Sequence, residues 1–317
     1  MSQTITIDPV TRLEGHGKIT IQLNDQGEVA DAHFHVTQVR GFEKFCEGRP
    51  FYEMPSLTAR ICGICPVSHL LASAKACEAI MAVRIPHTAA QLRRLLNMAQ
   101  MVQSHALSFF HLSSPDLLLG MESDPAARNI FGVAAARPDL GLAGIGLRRF
   151  GQHIIELLGT KRIHTGWVVP GGVTEPLAPA HRDEILASIP QAYADLKLAL
   201  TTYKQIAGSF KQEISVFANF PSNYLGLINE DETIEFTDGA LRLIDPRAQL
   251  SRTASPPAAS PSSSARPTRT TATPSSSTTS RSAIPREAIA SARWRGSTSS
   301  SPWARRRPTR NWPSSSN

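Results

Sequence analysis

Two cysteines three positions apart are the residues of this sequence best suited to chemistry. Cys62 and Cys65 are separated by Gly63 and Ile64, and Pro66 follows directly. A Cys-x-x-Cys pair on a tight turn lets two thiolates face one metal ion, and thiolates suit nickel, iron, zinc or copper(I). Gly63 is expected to permit the turn, and Pro66 can open a following helix. The spacing therefore predicts a metal or redox site at the start of a helix.

The spacing alone leaves open half of a zinc site, a redox dithiol or a site for another metal. A structural zinc needs a second ligand pair, and the sequence has no second Cys-x-x-Cys. A thioredoxin-type dithiol would follow a strand in a βαβ unit, which the pattern does not predict. Cys46 and Cys77 have no partner at ligand spacing, and we expect them to be buried thiols.

The elements that must position this pair are expected to be mainly helical. Apolar residues recur at helical spacing through most of the chain after residue 56. Arg93 and Arg94, which are adjacent in sequence, are expected to form a solvated face of the predicted helix 88–112. Helices are expected over four ranges: 67–83, 88–112, 144–158 and 180–215.

Strands are expected before the helices. Apolar and polar residues alternate within 4–37, and Asn24–Gly27 is a turn signal between two strands. A rigid, tight loop is expected at Val169–Val173, which contains Pro and two Gly. The predicted fold is mainly α with a small N-terminal antiparallel sheet.

Charge and composition divide the chain near residue 246. Residues 1–246 carry a net charge of −4, whereas 247–317 carry +11. In 247–317, Ser, Thr, Pro, Ala and Arg make up 60 of 71 residues, so a disordered tail is expected there. The excess of basic residues lies in this tail. We therefore predict that residues 1–246 bind neither nucleic acid nor a membrane.

The cysteine content and the apolar runs indicate the compartment. Four cysteines in 317 residues are too few for a disulfide scaffold. No apolar run reaches about 18 residues, and the N-terminus has no signal-peptide core. A cytoplasmic location is therefore expected.

The residues around the cysteine pair resemble a known signature. Arg-x-Cys-Gly-x-Cys-x-x-x-His at 60–69 resembles the first metal-binding motif of nickel–iron hydrogenase large subunits. Further blocks resemble the same family in the same order: 7–16, 40–43 with 48–49, and 169–173. The segments 51–55 and 65–69 resemble most the cytoplasmic, NAD-reducing branch. The chain is thus identified as the N-terminal part of such a large subunit, with the corresponding but incomplete fold.

The resemblance implies a role for each matching residue. Cys62 would be a terminal nickel ligand, and Cys65 would bridge nickel and iron. His69 would donate a hydrogen bond to the Cys65 sulfur. Glu43 would help to hold a magnesium ion, and Glu14 would carry protons away from the metal site.

The resemblance also implies a reaction and partners. The family oxidises H2 reversibly, and the NAD-reducing branch passes electrons to a small subunit with iron–sulfur clusters. A diaphorase with flavin then reduces NAD. These partners, and the nickel, iron and magnesium, are expectations that come from the family.

The family's second Cys-x-x-Cys is missing from these residues, since no cysteine follows Cys77. Two thiolates are not enough for the family's nickel–iron geometry, so the chain as it stands is expected to be inactive. The tail suggests why. When the codons of 283–298 are regrouped one base out of frame, they can encode a stretch that resembles a mid-sequence block of NAD-reducing large subunits. A frameshift is therefore expected between about residues 246 and 282.

Three other functions remain open. A nickel-free electron-transfer or interaction subunit of the complex I-related family usually lacks the Cys-x-x-Cys, so Cys62 and Cys65 favour the hydrogenase. A small zinc or redox module would use the pair alone. A binding protein with a basic tail would use residues 247–317 to bind nucleic acid or an anionic membrane.

Overall fold

The structure is a computed structural model that describes residues 3–38, 41–217, 219–247 and 249–254. Of these, 3–38 belong to one compact unit, and those from 41 onward belong to a second. Residues 255–317, which make up most of the predicted tail, lie outside the described residues. The disorder expected there and the boundary at 246 therefore stay predictions.

The first unit is a three-stranded antiparallel sheet, as the alternating pattern predicts. Asn24 makes the turn between the second and third strands. Its Oδ1 accepts hydrogen bonds from the amides of Gln26, at 3.0 Å, and Glu28, at 2.9 Å, and Gly27 has a φ of +80°. The strands pair in chain order: β1 (Gln3–Ile7), β2 (Gly17–Leu23) and β3 (Val29–Val36).

The second unit is mainly helical, which confirms the predicted fold class. The four predicted helices correspond to α3 (Pro66–Met81), α4 (His87–Ala106), α7 (Pro138–Gly159) and α8 (Pro179–Ala207). Three of them end earlier than predicted, α3 by only two residues, and α7 begins six residues before its predicted start. The fourth α-helix ends at Ala106 and continues as a π-helical turn over Leu107–Ser113, and the eighth ends at Ala207, before Gly208. The helices in the described residues are α1 (Phe42–Cys46), α2 (Met54–Thr58), α3 (Pro66–Met81), α4 (His87–Ala106), α5 (Ser114–Leu119), α6 (Ile130–Ala136), α7 (Pro138–Gly159), α8 (Pro179–Ala207) and α9 (Lys211–Val216).

Two small antiparallel sheets accompany these helices. The predicted tight loop is the hairpin of β4 (Val168–Val169) and β5 (Gly172–Val173), with a φ of +99° at Gly171. The sequence pattern did not predict the other sheet, because a strict alternation of apolar and polar residues is absent from its first two strands, whose sequences are YLGLI and ALRLI. It comprises β6 (Tyr224–Ile228), β7 (Ala240–Ile244) and β8 (Leu250–Ala254), and β8 falls within the range expected as tail.

The core of the second unit lies between α3, α4, α7 and α8. Leu70, Leu96 and Ile154 are buried together in it. The fourth and seventh helices cross so closely that a Cβ at Gly151 would lie 2.4 Å from the carbonyl oxygen of Ala99. This crossing fixes the position of the α4 backbone beside the cysteine turn.

Across the described part of the chain, none of the helices combines the length and the apolar character that a membrane crossing requires.

Candidate metal centre

The cysteine pair lies on a turn between a short 3-10 helix and α3. The 3-10 helix covers Ala59–Ile61, and Cys62 follows in an extended conformation with φ −139° and ψ 139°. Cys65 is the N-cap residue of α3, and Pro66 is its first residue. Proline suits this position because its missing N–H would have no partner inside the helix. The prediction that Pro66 opens a helix is confirmed.

Two backbone amides point at the sulfur of Cys62. The amide of Ile64 donates to Cys62 Sγ at 3.3 Å, and the amide of Cys65 donates to it at 3.1 Å. Hydrogen bonds from N–H groups stabilise the negative charge that a metal-bound thiolate carries. The turn therefore holds the Cys62 sulfur in surroundings that suit a metal ligand.

Gly63 does not have the role that the sequence pattern predicts. Its φ lies outside the left-handed region, and a Cβ at this position would meet nothing within 4 Å. The turn therefore does not depend on the conformational freedom of glycine, and the expectation that it does is wrong.

His69 lies beside the second cysteine. Its Nε2 is 3.7 Å from Cys65 Sγ, one helical turn further along α3, and the imidazole is half-buried. Thr58 Oγ1 donates to the carbonyl oxygen of Met54 at 2.8 Å and lies 3.4 Å from the carbonyl oxygen of His69. The arrangement matches the contact that the family implies between this histidine and the Cys65 sulfur.

The two glutamates expected to have functional roles are both exposed. Glu43 is an exposed residue of α1, in the second unit. Glu14 is exposed in the connection between β1 and β2, in the first unit. Within the described ranges, no group of three or more His, Cys, Asp or Glu side chains is arranged to hold a metal ion. The structure thus places the His69 imidazole beside the Cys65 sulfur and the Cys65 amide beside the Cys62 sulfur, and the functional roles of all five residues stay predictions.

A buried ion pair between Arg93 and Glu78 holds the end of α3 that is distant from the cysteines. It corrects the expectation that Arg93 lies on a solvated face. Arg93 is 3% exposed, so it does not belong to a solvated face, although the neighbouring Arg94 does. The guanidinium of Arg93 donates to both carboxylate oxygens of Glu78, at 2.6 and 3.1 Å, and also to the carbonyl oxygens of Val169 and Gly172. A guanidinium with several donors in a fixed plane is suited to this number of partners.

Two buried glutamines of α4 are further site residues that sequence reasoning missed. Gln100 and Gln103 are both 3% exposed, and their side chains contact the cysteine turn and the start of α3. Arg93, Asn97 and Gln100 recur at intervals of four and three residues, which is a polar stripe at helical spacing. That stripe is the signal that could have identified a buried polar face.

The two remaining cysteines differ in burial. Cys77 is 2% exposed, as expected, and its thiol donates to the carbonyl oxygen of Phe51 at 3.1 Å. Burial, followed by the nearby carboxylate of Glu78, raises the pKa of the Cys77 thiol above its ordinary value. Cys46 is only half-buried, because it ends the short, largely exposed α1, so its predicted burial is wrong.

A shallow apolar groove of about 370 Å³ follows the outer face of α3 next to the site. His69 contributes an imidazole to it, and the other lining residues are mostly apolar. The remaining lining residues are Phe51, Met54, Thr58, Ile61, Ala72, Ser73, Ala76, Cys77 and Ile80.

Comparison with known proteins identifies the family. Residues 4–39 match a family model described as HoxL-like, and residues 40–127 match the model of the nickel-dependent hydrogenases. The chain is 40% identical to the NAD-reducing hydrogenase HoxS subunit beta of Cupriavidus necator over 257 residues, which are 77% of this chain and 53% of that protein. The chain belongs to the nickel-dependent hydrogenase large-subunit family.

Other relatives of the chain agree. One subunit of the F420-non-reducing hydrogenase vhu of Methanocaldococcus jannaschii is 43% identical over 242 residues, which are 76% of this chain and 58% of the relative. The crystal structure of an NAD+-reducing nickel–iron hydrogenase in the H2-reduced state superposes with a TM-score of 0.75 at 40% identity, covering 79% of this chain and 56% of that one. The chain thus spans little more than half the length of these relatives.

Proposed function

We propose that the Cys62–Cys65 turn is the N-terminal half of the nickel–iron site of a hydrogenase large subunit, and that the complete protein oxidises H2 reversibly. The observation that carries the proposal is the turn itself. Two amides point at Cys62 Sγ, and the imidazole of His69 lies 3.7 Å from Cys65 Sγ. The two thiolates suit nickel and zinc alike, and membership of a nickel-dependent family favours nickel.

The donor chemistry of the turn fits half of such a centre. Thiolates are soft ligands that bind nickel and iron well. Cys62 and Cys65 would hold the nickel–iron centre through their thiolate sulfurs. His69 would hold the Cys65 sulfur in place by a hydrogen bond, which orients a ligand as outer hydrogen bonds generally do. The nickel–iron centre supplies the redox and Lewis-acid chemistry of H2 cleavage when it is bound.

Two glutamates would complete the machinery of this half. Glu14 would accept protons and pass them on, because a carboxylate can move protons along a hydrogen-bonded path. Glu43 would contribute a carboxylate oxygen to a magnesium site, the ligand type that this ion prefers. Both assignments rest on the family's motifs at 7–16 and 40–43.

Electron transfer would involve partner subunits. The Cupriavidus necator relative is named as a subunit of an NAD-reducing hydrogenase. By analogy, electrons from H2 would leave through a small subunit with iron–sulfur clusters and reach NAD through a diaphorase with flavin. A cytoplasmic location would follow from the same analogy.

The 317 residues as they stand would not perform this reaction. They contain no cysteine after Cys77, so they offer two of the thiolates that the family's site requires. The test is metal analysis and an H2-uptake assay of the chain after expression in nickel-containing medium. We expect substoichiometric nickel and no uptake, and stoichiometric nickel with measurable uptake would overturn this part of the proposal.

A further inference from the structure

The cysteine turn receives polar contacts from α4 that the nickel-site assignment does not use. Gln103 Nε2 donates to the carbonyl oxygen of Ile64 at 2.7 Å, inside the Cys-x-x-Cys. Gln100 Oε1 accepts from the amides of Val67 at 2.7 Å and Ser68 at 3.2 Å. Both glutamines are buried, and a buried amide costs free energy unless it is hydrogen-bonded, so these contacts are a reason for their presence.

We infer that Gln103 and Gln100 are positioning residues that set the cysteine turn in its ligand geometry, each through a different half of its amide. This inference rests on the proposed function, because it assigns outer residues to the same Cys62–Cys65 site. Gln103 acts as a donor and Gln100 acts chiefly as an acceptor.

Gln103 acts through one peptide group. The carbonyl of Ile64 and the amide of Cys65 belong to the same planar, trans peptide unit, so they point in opposite directions. Holding the Ile64 oxygen from the α4 side therefore aims the Cys65 N–H away from α4. That N–H is the group that donates to Cys62 Sγ at 3.1 Å. Through this rigid plane, the Gln103 side chain sets a hydrogen bond to the Cys62 sulfur.

The position of Gln103 is itself held tightly. At the crossing of α4 and α7, a Cβ on Gly151 would lie 2.9 Å from the backbone nitrogen of Gln103. A side chain can position a ligand only if its own backbone is fixed by packing. Within the described residues, Gln103 Oε1 is buried without a hydrogen-bond partner. Burial of this oxygen without a partner costs free energy, and an apolar side chain would fill the same space without that cost. The hydrogen bond that Nε2 donates to Ile64 is therefore the reason for a glutamine at this position.

Gln100 acts on the start of α3. The first amides of a helix have no partner within it, and Cys65 at the N-cap position makes no side-chain cap. Gln100 Oε1 supplies the missing acceptor for the Val67 amide from another helix, and it shares the Ser68 amide with the Cys65 carbonyl oxygen, which lies 3.2 Å from that nitrogen. Gln100 Nε2 donates to Ser68 Oγ at 2.5 Å. The helix that begins immediately after the second cysteine is therefore anchored at its first turn.

These two roles predict opposite responses to the same substitution. Gln100→Glu keeps an oxygen acceptor, and a carboxylate is favoured at a helix N-terminus, so the turn is retained. Gln103→Glu removes the donor and sets a carboxylate oxygen against the Ile64 carbonyl, so the peptide plane is released. Gln91→Glu is the matched control, since Gln91 is an exposed residue of α4.

The test uses the full 317-residue chain labelled with 15N-cysteine, which gives one amide signal for each of its four cysteines. In Gln103→Glu we expect the Cys65 amide to shift and exchange faster with D2O, while Cys46 and Cys77 stay unchanged. Gln100→Glu and Gln91→Glu should leave the Cys65 signal as in the parent. An unchanged Cys65 amide in Gln103→Glu, or equal changes in all four signals, overturns the inference.

A second variant and a second measurement make the test independent of folding and of the metal assignment. Gln103→Met removes the donor without adding charge, and it should give the same local change if Gln103→Glu fails to fold. Titration with Ni²⁺ alone should show binding weakened roughly 10- to 100-fold in both variants, a typical loss for outer positioning residues. If Cys62→Ser leaves Ni²⁺ binding intact, the proposed function fails, whereas the Cys65 amide still decides the role of Gln103.

Discussion

The two ends of α3 are both fastened to α4, but by different chemistry. At the cysteine end, the neutral amides of Gln100 and Gln103 bind backbone groups. At the other end, about 20 Å away for 13 helical residues, Glu78 and Arg93 form a buried ion pair that also binds the β4–β5 hairpin. The comparison shows that the charged anchor of α3 lies at the end of the helix that is distant from the cysteines. The neutral anchor adds no charge beside the cysteine pair, while the ionic anchor stabilises the distant end.

The largest expected loss of stability comes from breaking the ion pair between Arg93 and Glu78. Arg93→Met leaves the Glu78 carboxylate buried without its counter-charge and frees the carbonyls of Val169 and Gly172, so we expect a loss of about 3–5 kcal/mol in the free energy of unfolding. Arg94→Met is the matched control on the next residue. The Arg94 side chain is 46% exposed, so its pair with Glu235 should contribute at most about 1 kcal/mol.

Urea denaturation of both variants measures the difference. Equal losses for Arg93→Met and Arg94→Met would contradict the account, because they would mean that burial of the pair adds nothing.

The second prediction compares a glycine from each end. A Cβ at Gly171 or at Gly63 would meet nothing within 4 Å, so substitution by alanine tests the backbone alone. Gly171 has a φ of +99°, and Gly171→Ala should cost at least about 1–2 kcal/mol, whereas Gly63→Ala should cost little. Thermal unfolding of the two variants measures this, and a larger loss at Gly63 would show that the cysteine turn does need glycine.

The third prediction concerns the neutral anchor. Gln100→Ala removes the acceptor for the first amides of α3, and the loss of a helix cap costs about 1 kcal/mol. Gln91→Ala on the exposed face of α4 should be close to neutral. Chemical denaturation distinguishes them, and the account would be contradicted if Gln100→Ala destabilised the chain as much as Arg93→Met.

The smallest expected effect is a pH dependence at Cys77. Its pKa is raised in the folded chain by burial and by Glu78, so the unfolded chain loses this proton first as pH rises. The stability that the protonated thiol contributes is thus present below the unfolded pKa, about 8.5, and is lost as pH rises through the folded value.

Urea denaturation between about pH 7 and about pH 10, a range that brackets the unfolded pKa of a thiol, tests this. The free energy of unfolding should fall more steeply with pH in the parent than in Cys77→Ala. Parallel curves would rule out a raised pKa at Cys77.

The difference between the two ends also explains what the sequence could predict. Hydrophobic periodicity predicts the centres of α3, α4, α7 and α8, and proline chemistry predicts that α3 begins at Pro66. The motif around Cys62 predicts the metal site, because these residues are local in sequence. The anchors were missed because their partners are distant. Glu78 and Arg93 are 15 residues apart, and Gln103 and Ile64 are 39 residues apart. Such pairs become adjacent only when the helices pack. From the sequence alone, Arg93 was therefore expected to be a surface charge.

The most direct test of the central claim is titration of the reduced 317-residue chain with Ni²⁺ alone, followed by thiolate-to-metal charge-transfer absorption. The account predicts an absorption band that Cys62→Ser and Cys65→Ser each abolish, and that Cys46→Ser leaves unchanged. A band that survives both substitutions, or that disappears in Cys46→Ser alone, would contradict the assignment of the Cys62–Cys65 turn as the nickel-binding half of a hydrogenase site.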